Sequence, residues 1–105
     1  MAGMEENVKM YSYGNNVTFN YSLTEENGDA EFDFAGVMGC NAHFGFADNT
    51  TSEYPVQVEV SADGASYADP FLAGAGKSVA LDGMNIAAIR VTRSEGDSAG
   101  QIVIW

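Results

Sequence analysis

Cys40-x-x-His43 is the first place to look for chemistry, because a thiolate and an imidazole at that spacing make half of a tetrahedral metal motif. These are the single Cys and the single His of the chain, so a zinc ion would need its remaining ligands from carboxylates elsewhere. For the same reason a Ser-His-Asp arrangement has only His43 as its base. The preferred reading is the ordinary one, a strand-face His and a buried free thiol. The 15 Asp and Glu residues guarantee carboxylate pairs by chance, and none sits in a context that would raise its pKa. The GxxxxGK[ST], post-strand GxGxxG and HExxH patterns are absent. The expectation is a protein that is not an enzyme, with no catalytic residue, no metal ligand and no cofactor.

Two binding chemistries remain. Hard oxygen ligands for calcium occur at Asp63-Gly64, Asp69, Asp82-Gly83 and Ser94 to Ser98, but no EF-hand pattern links them. A structural calcium is therefore an alternative that is not favoured. A sugar needs an aromatic platform with polar groups around it, and Tyr54, Tyr67, Phe71, Asn49 and Arg93 lie in or beside loops. The competing reading, which is preferred, has Tyr67 and Phe71 capping the edge of the core. Arg90 and Arg93, on opposite faces of one strand, are expected to pair with acids.

The elements that would position these residues are strands. Val17, Phe19, Tyr21 and Leu23 alternate with polar residues, and after the turn at 25–29, Ala30, Phe32 and Phe34 do the same. The two runs read as a hairpin. Ala42, Phe44 and Phe46 form another apolar set, with His43 and Gly45 facing the other way. Val56, Val58 and Val60 form a fourth. Val79 with Leu81, Ile89 with Val91 and the run Ile102 to Trp105 follow, and an earlier strand is expected over Val8 to Tyr13. Phe34 to Cys40 either crosses between sheets or carries a short helical turn. Asp63-Gly64 reads as a tight type I′ turn, with Pro70 ending the returning strand. About eight short antiparallel strands at this rhythm predict an all-β fold, a sandwich or barrel, with a single β-sandwich of two packed sheets preferred.

The domain is expected over residues 8–105, after an N-terminal arm at 1–7. The last strand is apolar on both faces, so Val103 and Trp105 require cover from a loop, the arm or another subunit. Met1 and Met4 in the arm are adaptable apolar contacts. These four residues are the expected interface.

Four Lys and Arg against 15 acids give a net charge of −11, which argues against nucleic acid and against an anionic membrane surface. The start lacks an apolar run of signal-peptide length, and no segment nears the roughly 18 apolar residues of a membrane helix. The sequons at Asn16, Asn20 and Asn49 are read as chance.

From VQVEV through SADGASY to NIAAIRVTR, SEGDSAG and QIVIW, residues 55–105 resemble discoidin-like jelly-roll domains, and this resemblance implies a β-sandwich of jelly-roll type. The same cadence is similar to small β-sandwich virion proteins of tailed phages, of the decoration, head-completion and fibre types. The second resemblance is preferred, because the chain is short, has one Cys and lacks a signal peptide. It implies a non-enzymatic virion component, made in a host cytoplasm, docked on other virion or assembly proteins, with homo-oligomerisation left open. The alternative is a carbohydrate-binding module using Tyr54, Tyr67, Phe71 and Arg93.

Overall fold

A computed structural model describes residues 8–13 and 16–105, with side chains from residue 17 onward. Nine strands follow in order among these residues: β1 (Val8–Tyr13), β2 (Asn16–Leu23), β3 (Ala30–Asp33), β4 (Gly45–Asp48), β5 (Val56–Ser61), β6 (Phe71–Ala73), β7 (Ser78–Ala80), β8 (Ala88–Arg93) and β9 (Ser98–Ile104). One short helix, α1 (Phe34–Met38), leads from β3 towards β4. The side chain of Asp33 caps it by accepting from the Gly36 N–H, and Gly39 ends it in the left-handed region.

The strands form two antiparallel sheets, β1-β2-β9-β4-β7 and β3-β8-β5-β6. β2 pairs with β9, β3 with β8, β4 with β7 and β5 with β6. The first half of the sandwich thus runs antiparallel to the second as one long hairpin rolled into two layers, the nested pairing of a jelly roll. β1 adds a further strand outside that set. The all-β, jelly-roll expectation holds. The N-terminal arm lies outside the described residues.

The hairpin expected between 17–23 and 30–34 does not form. β2 and β3 belong to different sheets, and the segment between them crosses the rim. β2 and β3 each carry one apolar face, and facing layers bury both faces at once. Phe19 of β2 stacks on Phe32 of β3 with ring centroids 4.3 Å apart, and Phe34 meets Phe32 edge-on at 4.4 Å. Around this cluster lie Tyr21, Leu23, Val56, Val58, Ile89, Val91, Ile102 and Ile104, all buried.

A second correction concerns the third apolar set. Ala42 is buried and bridges Ile86, but from Gly45 onward the parity reverses, so Gly45 and Ala47 face the core while Phe44 and Phe46 face outward. The register with β9 explains it: Gly45 lies opposite Ile104 and Ala47 opposite Ile102. Those isoleucines already fill the interior. A Cβ on Gly45 would run into the Val103 carbonyl oxygen and come within 2.8 Å of Ile104 Cγ2.

The Asp63-Gly64 turn is also not type I′. Gly64 has φ +81°, but no non-glycine described residue has a positive φ, so only one of the two central residues is left-handed. Asp63 instead accepts the N–H groups of Ala65 (2.8 Å) and Ser66 (2.9 Å), making a side-chain-closed turn. The buried Ser61 hydroxyl completes it, donating to the Ser66 carbonyl at 2.6 Å and accepting the Gly64 N–H at 2.9 Å. The chain then runs through all of Ala62–Pro70 before β6 begins, so Pro70 precedes the returning strand rather than ending it. Cys40, expected to be buried, is exposed just past the end of α1.

Candidate functional site

Three places gather several of the residues that sequence singled out: the outer face of each sheet and the rim at Asn49.

On the β2-β9-β4-β7 sheet, the outward positions of β9 are Gln101, Val103 and, past its end, Trp105. Register places Thr18, Val103, Phe46 and Ala80 in one cross-strand row. Beyond it, backbone bonds join Trp105 to Phe44, with the Trp105 N–H donating to the Phe44 carbonyl at 3.0 Å and the Phe44 N–H donating back at 3.2 Å. The Trp105 ring lies 6.5 Å from Phe44, nearly parallel, and 6.5 Å from Phe46, edge-on. Phe44 is 48% and Trp105 42% exposed. The next row, Asn20, Gln101, Asp48 and Ser78, is polar and bounds the patch on one side. Gln101 Nε2 donates to Asp48 Oδ2 at 3.3 Å. Hydrogen bonds from the Thr50 hydroxyl and N–H hold the Asp48 carboxyl below its ordinary range.

The outer face of the other sheet is built from charge. Glu31, Arg90 and Glu59 face one another across β3, β8 and β5. Arg90 grips Glu59 with two bonds, Nε to Oε1 at 3.2 Å and Nη2 to Oε2 at 2.8 Å, and its Nη1 lies 3.8 Å from Glu31. These bonds hold the Glu59 carboxyl below its ordinary range. The Arg90 guanidinium also sits 4.3 Å from the Tyr67 ring centroid. Burial, with the nearby Glu31 charge, pushes the Tyr67 phenol up to about 12. Tyr67 thereby pins the Ala62–Pro70 loop onto the sheet.

At the rim where β4 ends, Asn49 is fully buried. Its Nδ2 donates towards the carbonyls of Tyr54 (3.0 Å), Ala73 (3.2 Å) and Gly74 (3.2 Å), and its Oδ1 accepts the Tyr21 hydroxyl at 2.8 Å. Burial raises the Tyr21 phenol far above its ordinary value. Asn49 is therefore a joint between the two sheets rather than part of a sugar rim, and its amide is sealed from glycosylation in the folded protein.

No protein-family model matches this sequence, and no curated protein is significantly similar to it.

The expected sugar residues do not converge. Tyr67 and Phe71 line one groove beyond the end of β5. Tyr54 precedes β5, its ring packed so closely on Gly96 that a Cβ there would lie 2.6 Å from Cε2. Arg93 is held by Asp97 at 3.3 Å and faces Glu25 at 3.9 Å. Both arginines pair with acids as expected. Met1 and Met4 lie outside the described residues. His43 and Cys40 are exposed, and no group of three or more metal-ligating side chains occurs among the described residues. Nor does any helix among them have the length and apolarity to cross a membrane.

Phe44 and Phe46 are outward-facing aromatics that alternation alone assigned to the wrong side. The available signal was the small pair Gly45 and Ala47, which suits an interior already filled from β9.

Proposed function

We propose that this chain is a non-enzymatic interaction protein that docks on a larger assembly through the Phe44, Phe46 and Trp105 face. The observation that carries the reading is the aromatic patch itself: three large rings and Val103 sit together on a sheet face, half in solvent, beside a polar row. Aromatic anchors with a polar border are the anatomy of a protein-binding patch. The opposite sheet supports the contrast, since its outer face is satisfied by its own ion pairs. The resemblance to small virion β-sandwiches names the setting, a decoration or tail-accessory component of a phage particle; the jelly-roll topology suits it but is shared with many other functions. Trp105 is the only Trp, so its fluorescence reports docking directly. Mixed with purified particles of the phage that encodes it, the chain should bind stoichiometrically with a blue-shifted Trp105 emission. The double variant Phe44→Ser/Trp105→Ser, folded by circular dichroism, should lose binding. Undiminished binding by that variant, or absence of the chain from intact particles, rejects the proposal.

A further inference from the structure

Between β6 and the turn at Met84 the sandwich is open at its edge. Val60, Phe71 and Met84 pack on the buried core but remain partly exposed, so the core itself floors a groove of about 520 Å³. That volume lies within the usual range for small-ligand sites. Tyr67 forms one wall, and Arg90 over its ring fixes its position before any ligand arrives.

Two polar side chains border the apolar floor. Asn85 Oδ1 accepts from Asn41 Nδ2 at 2.8 Å, and Asn41 Nδ2 also bonds the Ala62 carbonyl at 3.0 Å. The anchored oxygen leaves the Asn85 NH2 as a directed donor. Asp69 is an exposed carboxylate with no hydrogen bond or ion pair among the described residues.

These features restrict the ligand class. An anion would meet Asp69 and the field of a chain of net charge −11, while the nearby cation, Arg90, is engaged by Glu59 and Glu31. A purely apolar ligand would cover the floor but make no bond to Asp69 or to the Asn85 NH2 at its border. A simple ammonium head has only donors, so it satisfies Asp69 but not the Asn85 NH2. A neutral ring with one apolar face and a hydroxyl edge satisfies all three surfaces. We infer that this groove binds a neutral pyranose sugar, packed against Tyr67 and Phe71, with hydroxyls accepting from Asn85 and donating to Asp69. This inference is independent of docking through the Phe44, Phe46 and Trp105 face.

The test is an amide chemical-shift titration of the full chain with methyl glycosides of glucose, galactose and mannose, beside glucuronate and methylamine. At least one neutral glycoside should give saturable shifts confined to the 60–71 and 84–86 segments. Tyr67→Ala should weaken it about tenfold through lost ring contact. Asp69→Asn and Asn85→Ser alter exposed groups and should each weaken it about fivefold with the fold intact. Glucuronate and methylamine should bind more weakly than the best neutral glycoside. The inference is overturned by any of three results: no saturable shift with a neutral glycoside, unchanged affinity in both Asp69→Asn and Asn85→Ser, or preference for either charged probe.

Discussion

The two outer faces of this sandwich solve the same problem in opposite ways. Across β3, β8 and β5 the row Glu31, Arg90 and Glu59 closes on itself, and Tyr67 covers the arginine. Across β2, β9, β4 and β7 the corresponding surface is Thr18, Val103, Phe46 and Ala80, with Phe44 and Trp105 beyond. Ion pairs on an open sheet surface stabilise weakly but leave water nothing apolar to avoid. Half-exposed aromatic rings do the reverse, retaining surface whose burial remains available to a partner. One face is thus closed by its own ion pairs, and the other leaves large aromatic rings partly exposed.

Asn49 joins the two layers, and its replacement is the strongest way to disturb both. Asn49→Ala strands the Tyr21 hydroxyl and opens the carbonyls of Tyr54, Ala73 and Gly74; a loss of about 3 kcal/mol is expected in urea unfolding. A cost under about 1 kcal/mol would show that the joint is not structural.

Adjacent positions on β4 sharpen the contrast between inside and outside. Ala47→Phe overpacks the core against Ile102 and should cost about 2 kcal/mol, while Phe46→Ala should cost under about 1 kcal/mol. Equal costs would contradict the reversed parity of this strand.

Arg90→Met tests the self-satisfied face. Both partners are partly exposed, so after solvent screening the loss should be about 1 kcal/mol or less at neutral pH. The sign with pH follows from Glu59, whose carboxyl is lowered in the folded protein. Its contribution is present above the ordinary Glu value of about 4.5 and fades as pH falls through the lower folded value. The stability difference between wild type and Arg90→Met should therefore shrink on acidification below about pH 4.5; a difference that grows there contradicts the role given to Glu59.

Trp105→Ser should have the smallest effect on the isolated chain, about 0.5 kcal/mol by thermal unfolding, because the ring is already 42% exposed. A loss of several kcal/mol would make Trp105 a core residue and remove the contrast between the faces.

Much of the fold was legible from alternation. Val17 to Leu23, Val56 to Val58, Ile89 to Val91 and Ile102 to Ile104 bury the residues their period-two pattern selects. The turn at 25–29 looked like a hairpin because local sequence does not distinguish a return within one sheet from a crossing between two. The VEVSADGASYADP stretch was legible as a turn, but Ser61 and Asp63 close it with side-chain bonds where a two-residue turn was expected. The groove was half legible: Tyr67 and Phe71 were singled out, while Asn85 and Met84 arrive from a distant turn.

The amino-acid sequence by itself determined most of the strands, though not the short β6 at Phe71–Ala73, together with the acidic balance and the apolar doubling of the last strand, since period, charge and residue type are local properties. Strand partners, the outward turn of Phe44 and Phe46, and the meeting of both with Trp105 were decided only by tertiary structure. The physical reason is register. A slip of one residue between β4 and β9 would reverse which side of β4 faces the core, and that register depends on which volumes Ile102 and Ile104 have already filled.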